Sequence, residues 1–504
     1  MNPHYGDLHN HCGLSYGHGT VEDALRNARE QLDFCSVTGH ALWPDMPAET
    51  PDIKPILDFT RRGFARVRDQ WDDAQETLEK FQEDGRFSTF PGFEMHSCED
   101  GDYTVLYRDP GGKILEVSGL TELQDTIRRL RGEDIGILAF PHHLAYKKGQ
   151  RGVNWDSFDP GISPLIEVVS MHGCSELLDS PRPFLHSMGP ADAGSSLAAG
   201  LELGVPFGVI GGTDHHSAHP GSYGHGRMGV WAANNTREDL WDGFMNRRTW
   251  ALTGDRIELN MTMNGQCMGS TVGPADTRNM TIDVEGGAAI DVVDVVRNGR
   301  IAKRFTIPED LPEHVDPCCD PIRTKIFIEV GWGTVGKPVD WQVDIGISDG
   351  EIRDIEPRFR GAEVVSPLDA PDGAEVSYYV SQCRQTDTRA VSFRTRTCGN
   401  PNTSTCATQG VCLYVDMPRT ADVLATVNSQ KIRMPLEHLL AGQRCGRLGL
   451  IDSPCWLLHR VPLEAEYKWN LTWQDSRHSD CDTYYVRVRQ RNGQWAWSSP
   501  VVVT

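Results

Sequence analysis

Short apolar runs alternate with amphipathic stretches through the first 250 residues. Gln31–Thr38, Phe87–Pro91, Ile135–Phe140, Pro164–Met171 and Phe207–Gly211 are apolar over strand length, and each is followed by Gly, Pro, His or another polar residue. Runs this short, bounded by such residues, predict buried strands. Between them, Thr20–Leu32 sets Val21, Ala24, Leu25, Ala28 and Leu32 at helical spacing. Thr121 with Gln124 reads as a capping box for a later helix, and Gly132, after Leu130 and Arg131, as its stop. Strands alternating with helices predict an α/β unit built on a parallel sheet or barrel.

Past Thr253-Gly254-Asp255 the period changes. Thr281–Val284, Ile290–Arg297, Lys325–Trp332 and Val339–Ile347 read as strands, with Asn298-Gly299 and Asp349-Gly350 as turns between several of them. Near the end, Tyr484, Val486 and Val488 alternate with Tyr485, Arg487 and Arg489, and Asn492-Gly493 leads into Trp495-Ala-Trp497. That is the signature of a hairpin with a tight turn. The reading is a first unit over residues 1–255 and a mainly-β, sandwich-like half over 256–504. A stretch around 383–460, rich in Cys, Thr and Asn, looks like an insertion. The sequence shows no internal repeat and no coiled coil.

A chain of 504 residues is long enough for several domains and a sizeable core. No run of about 18 apolar residues suggests a membrane span. The N-terminal residues lack the basic and apolar regions of a signal peptide, so the expected location is the cytoplasm. A net charge of −21 argues against binding to nucleic-acid backbones, which needs clustered Lys and Arg. Fourteen cysteines are present, four before residue 255 and ten after, with Cys383, Cys398, Cys406 and Cys412 close together. Reduced thiols are the first reading, disulfides the second and a structural zinc the third, because the spacings make no CxxC pair.

The candidate chemistry lies at the strand ends of the first unit. His9-Asn10-His11 follows the first expected strand, and in an extended HxH both imidazoles point to one face. Alone such a pair says little; two surface histidines would look the same. The pattern recurs, however, at Thr38-Gly39-His40, Gly92-Phe93-Glu94, Pro141-His142-His143, Ser170-Met171-His172 and Asp214-His215-His216. Strand ends of an α/β barrel converge on one mouth. His, Glu and Asp at every one of them are the donors that divalent ions prefer, and packing gives no reason for them.

The order HxH, TGH, GFE, PHH, a lone strand-end His, and DxH resembles the PHP (polymerase and histidinol phosphatase) family over roughly residues 1–255. The resemblance implies a distorted (β/α)7 TIM-like barrel and two or three divalent ions, zinc, manganese or iron. Arg247–Asp255 and the Trp-rich C-terminus look like a branch with carbaryl-hydrolase-like relatives. By this resemblance His9 and His11 bind one ion with Glu94 and Asp214. Glu94 bridges to a second held by His142 and His172, and His18, His40 and His216 hold a third. His142-His143 stands where many relatives have His-Pro, and register favours His142. Gly39 stands where Asp is common, and His18 is one residue further from the HxH than in some relatives.

Glu94, Asp214 and His216 are accordingly the expected catalytic groups. His96 is either an additional group behind the ligands or a surface residue. Lys147 and Arg151, in the loop after the His pair, and His225 and Arg227, in a Gly-rich segment, are candidate contacts for an anionic or ester substrate; solvated loop charge is the plainer reading of the lysine and its neighbours. The Cys12, Cys35, Cys98 and Cys174 thiols near these motifs read as packing. Two close ions would act through a bridging hydroxide, which suits phosphoesters first and carboxyl or carbamate esters or amides second. A non-catalytic metal- or carbohydrate-binding protein is the reading from another class. No G-x-S-x-G elbow, Walker loop or Rossmann fingerprint is present.

Overall fold

The computed structural model describes residues 1–176, 180, 182–184, 189–306, 321–362, 379–398 and 406–504. In the first unit ten strands are recorded: β1 (Asn2–Asp7), β2 (Phe34–Leu42), β3 (Ser88–Met95), β4 (Asp102–Tyr107), β5 (Ile137–His142), β6 (Leu165–Ser170), β7 (Gly173–Cys174), β8 (Gly208–Gly211), β9 (Arg227–Ala232) and β10 (Thr249–Leu252). The ladder order is β10-β9-β1-β2-β3-β4-β5, and β7-β6-β8 form a separate small sheet. β1, β2 and β3 pair in parallel, as do β6 and β8. The structure departs from a wholly parallel set: β4 and β5 run antiparallel to their neighbours, and β9 and β10 do the same on the other side. β4 was not among the expected strands.

Every residue of β2 and β3 is buried, because both faces of the sheet are covered. On one face lie α1 (Val21–Arg29), α2 (Lys54–Asp69), α3 (Trp71–Phe81) and α4 (Leu120–Gly132), whose Leu25, Val67, Leu78 and Leu123 share one core. On the other face Leu8, Phe34, Phe90, Leu138, Leu165, Ile210 and Met228 meet in a common core, so β6 and β8 close over the large sheet. α1 begins at Thr20, whose hydroxyl and Asp23 make a reciprocal capping box. The capping box expected at Thr121 does not form. α4 starts two residues earlier than such a cap implies, at Leu120 after Gly119, and Ser118 bonds Glu122 instead. Nor does Gly132 stop it; it is the last helical residue, and the chain turns at Asp134, where φ is 64°.

The large sheet does not end at residue 255. Trp495–Ser498 pairs with β10, beyond it come Asp482–Gln490, Val501–Val503 and Thr271–Val272, and Ile290–Arg297 with Arg300–Thr306 joins beside Asp482–Gln490, completing a 13-stranded sheet. The expected hairpin is present, with Arg487 opposite Trp497 and Gly493 at φ 79°. Its side chains converge on the buried carboxylate of Glu176: the Tyr485 hydroxyl (2.7 Å), the Trp497 indole N–H (2.8 Å) and the Arg487 guanidinium (3.0 Å) all donate to it. Residues 322–458 form two five-stranded sheets around a core that includes Ile328, Trp341, Val343, Val411 and Leu458. The Cys-rich stretch 383–460 supplies strands to both of those sheets. Among the described residues the cysteines are all free, Cys412 buried and Cys398 and Cys406 exposed; Cys318 and Cys319 lie outside them. No helix there is long and apolar enough to cross a membrane.

Candidate metal centre

His9 and His11 leave the end of β1 together. Glu94 sits in β3, His40 in β2 and His142 at the end of β5, and the loops after β6 and β8 bring His172, Asp214 and His216. All are buried. Asp214 has a left-handed backbone (φ 51°), a conformation that Asp tolerates better than most residues.

His9 Nε2 lies 3.2 Å from Glu94 Oε2 and 3.5 Å from Asp214 Oδ1; His11 Nε2 lies 3.2 and 2.9 Å from the same two oxygens and 3.2 Å from His9 Nε2. Four ligands about 2.1 Å from one tetrahedral ion stand roughly 3.3–3.5 Å apart. The other oxygens face different rings. Glu94 Oε1 is 3.3 Å from His142 Nε2 and 3.1 Å from His96 Nδ1. Asp214 Oδ2 is 2.8 Å from both His143 Nε2 and His172 Nε2. A third group joins His11, His40 and His216. Among the described residues, buried Asp214 Oδ2 and His142 Nε2 find no well-aligned hydrogen bond despite these approaches. The donor set fits divalent ions such as zinc, manganese or iron.

A second layer decides which nitrogen each ring presents. Glu167 Oε2 stands 2.9 Å from His9 Nδ1, the Ser15 hydroxyl 2.8 Å from His40 Nδ1, and the Thr104 hydroxyl 3.1 Å from His142 Nδ1. His216 Nδ1 donates to the Asp214 carbonyl at 2.8 Å. Each leaves Nε2 as the ligand atom. Glu167 approaches His9 only because residue 212 is glycine: a Cβ there would lie 2.2 Å from Glu167 Oε2. Asp7, pushed up to about 6 by burial against its hydrogen bonds, accepts from the His9, Thr213 and Gly221 amides and ties three loops together.

Burial opposes ionisation of Glu94 and Asp214, but the imidazoles around them win and hold both carboxyls well below the usual range. Burial depresses His40, His143 and His216, which keeps their lone pairs available. It also acts on His9, but Glu167 and Asp214 override it and draw a proton onto the ring. Lone pairs that attract a proton this strongly attract a cation for the same reason.

Several expectations meet a different arrangement. His142 and His143 both enter the cluster. Adjacent residues of a strand point apart, but His143 has φ 51°, and the turn swings its ring back inward. His172 approaches Asp214, not Glu94. His18 is only partly buried; its amide bonds the His216 carbonyl at 2.8 Å, and its Nε2 has no hydrogen-bond partner. His96 is buried behind Glu94, with Nε2 2.5 Å from the Tyr16 hydroxyl. Lys147 is exposed on the loop. Arg151 is held by Asp102 and lies 5.5 Å over Trp43, so it braces the site. Arg227 is fully buried, and its donors are engaged by the Gly221 carbonyl (2.7 Å) and Gln31 Oε1 (2.8 Å). His225 stacks on His215, 5.6 Å between centroids. Glu167, Asp7, Asp102, Ser15 and Thr104 were not among the expected site residues.

Residues 222–268 match the family described as "Protein of unknown function (DUF3604)". Uncharacterized proteins from Chlamydia trachomatis and Chlamydia muridarum are each 24% identical to the chain, over 325 and 329 residues. These alignments cover 60% of this chain and 48% and 49% of theirs, so the chain spans about half the length of the curated relatives it matches. Among solved structures, a two-domain protein from Bacteroides vulgatus containing a predicted PHP-like metal-dependent phosphoesterase is similar at 14% identity and a TM-score of 0.33, covering 60% of this chain and 85% of that one. The lesion-specific endonuclease PfuEndoQ from Pyrococcus furiosus is similar at 13% identity and a TM-score of 0.28, over 48% of this chain and 56% of that one.

Proposed function

We propose that this chain is a metal-dependent hydrolase of the PHP kind, acting on a phosphoester, with two or three divalent ions held by His9, His11, His40, Glu94, His142, His143, His172, Asp214 and His216. The observation that carries the proposal is the division of oxygens: Glu94 and Asp214 each turn one oxygen to the His9–His11 pair and the other to a different pair of imidazoles. Only a carboxylate can span two cations in that way, because its oxygens are separate donors of one charge.

Bound ions would supply an activated water and offset charge developing on the ester oxygen. The chain's own residues set the geometry. Glu167, Ser15 and Thr104 engage Nδ1 of three imidazoles and so turn their Nε2 atoms to the centre. Arg151 and Asp102 fix His96, which holds the Tyr16 hydroxyl beside His40, 3.7 Å between the Tyr16 and His40 rings. That hydroxyl is the group placed to hold a proton at the site's edge. Burial of the whole set keeps bulk water from competing for these contacts.

The test is Glu94→Gln, with metal stoichiometry, thermal midpoint and turnover of an aryl phosphate and an aryl ester measured on one preparation. The expected result is loss of at least one metal equivalent and of turnover, with the fold kept. Full metal content and a near-wild-type rate would overturn the bridging role. Turnover of the ester without the phosphate would favour the carboxyl- or carbamate-ester reading. Bound metal without either turnover would favour a binding protein.

A further inference from the structure

The loop carrying Asp214 also borders a group of basic side chains that the metal centre does not use. His215 is fully buried and stacks on His225; His219, also buried, lies 6.1 Å from it. Among the described residues His215 Nε2, His219 Nε2 and His225 Nδ1 make no aligned hydrogen bond, although the carbonyls of Ala362 and Phe359 lie near the first two. Two arginines reach the same place. Arg360 comes from the segment after the strand Glu351–Arg358; its Nη1 donates to the Tyr223 carbonyl (2.5 Å), its Nε to the Thr408 carbonyl (3.0 Å), and the guanidinium lies 4.6 Å over the Tyr223 ring. Arg182 lies within electrostatic reach of both Arg360 and His225.

Both arginines are only partly buried, and among the described residues no carboxylate pairs with either. In a chain of net charge −21 that is an unusual place: two guanidiniums and three imidazoles, where the acids within electrostatic reach are engaged elsewhere, Glu329 by Thr408 and His459 and Asp214 by the imidazoles of the metal centre. It adjoins the metal centre on the side of His143. Phe184, two residues past Arg182, lies 4.8 Å from the Tyr146 ring, which lies 5.5 Å from the His143 ring.

We propose that Arg182, Arg360 and His225 form an oxyanion subsite at the rim of the metal centre, which holds a phosphate group of the substrate separate from the bond that is cleaved. Guanidinium forks suit phosphate because paired N–H donors match paired oxygens. His225 Nδ1 adds a buried polar atom on the same ligand. The arrangement gives the C-terminal half a part in recognition, since Arg360 lies in its chain. The substrate part of this inference rests on the hydrolase reading; the anion part does not.

The test titrates inorganic phosphate calorimetrically into the metal-loaded protein and into chelator-stripped protein, for the wild type, Arg182→Met and Arg360→Lys. Stripping removes any phosphate binding that bound ions provide. Wild type is expected to bind phosphate in both forms. Arg182→Met, which breaks no side-chain hydrogen bond seen in the structure, is expected to weaken binding at least tenfold in the stripped form with an unchanged thermal midpoint. Arg360→Lys keeps the charge but loses the fork, and a smaller loss is expected. Failure of stripped wild type to bind phosphate, or wild-type affinity in Arg182→Met, would overturn the subsite. Turnover is scored separately: phosphate binding with no ester hydrolysis removes the hydrolase reading and leaves the subsite standing.

Discussion

Glu167→Gln removes one charge from the centre while keeping the side chain's volume. Glu167 is 2% exposed, and its Oε2 stands 2.9 Å from His9 Nδ1. As a carboxylate it can only accept, so the Nδ1–H of His9 points to it and Nε2 is the nitrogen left for an ion, which displaces any proton drawn there. Nε2 is the atom 3.2 Å from both Glu94 Oε2 and His11 Nε2. A glutamine can present either its oxygen, a weaker neutral acceptor, or its NH2, which forces the His9 proton onto Nε2. Both outcomes weaken His9 as a ligand. Loss of such a supporting carboxylate lowers metal affinity about 10–100-fold, or roughly 1.4–2.7 kcal/mol. The amide fits the same slot beside Gly212, so chelator-stripped protein is expected to keep its fold. Competition against a chromophoric chelator measures the affinity of each equivalent, and thermal unfolding of the stripped protein checks the packing. Affinities equal to wild type for every equivalent would refute the reasoning, because His9 would then not depend on Glu167 for its tautomer.

Two further outcomes concern the frame around the site. Arg227→Met leaves the Gly221 carbonyl and Gln31 Oε1 buried without their donor, so it should destabilise the fold by about 2–5 kcal/mol. Metal content per folded molecule should not change; an unchanged urea midpoint with a raised KM would restore Arg227 as a substrate contact. The carboxyl of Glu356 is buried, but Arg358 and Arg256 beside it overcome burial and draw it down to about 2 from an ordinary 4.5. A depressed carboxylate stabilises above its unfolded value, and that contribution is lost as pH falls through its folded value. The unfolding free energy from urea titration should therefore drop between about pH 5 and 2 by roughly 3 kcal/mol more in wild type than in Glu356→Gln. Parallel acid profiles for the two proteins would contradict this.

The strands were legible where an apolar run stood alone and illegible where it merged with something else. The run Gln31–Thr38 joined two elements: Leu32 packs with α1, Gln31 bonds the Pro220 carbonyl, and β2 itself runs Phe34–Leu42. The apolar run of β3 was read over Phe87–Pro91 with Gly92-Phe93-Glu94 at the strand's end, and the strand in fact runs on to Met95, so the ligand lies inside it. The C-terminal hairpin was readable from Asn492-Gly493, a local turn signal. Its pairing with β10, some 240 residues earlier in the chain, has no local signal, so the sharing of one sheet by both halves could not be read.

The site shows the same division between local and distant information. Ligand types at strand ends are local, and they were readable. Which oxygen faces which ring depends on how distant loops meet, so the pairing of His172 with Asp214 was not. Glu167 did leave a signal: it is the lone charge inside Leu165–Ser170, a strand buried at every position, and a buried charge needs a partner. The burial of Arg227 was hidden for an opposite reason: its Gly-rich segment suggested an open contact for substrate. Yet a Cβ at Gly226 would lie 2.1 Å from the Gly212 carbonyl oxygen, and one at Gly224 2.8 Å from Arg360 Nη1. The glycines there admit close packing between segments, and an arginine set among them becomes a strut whose donors are already committed to Gly221 and Gln31. Arg182 and Arg360, which make no ion pair among the described residues, are the residues proposed to hold positive charge available to a ligand at that rim.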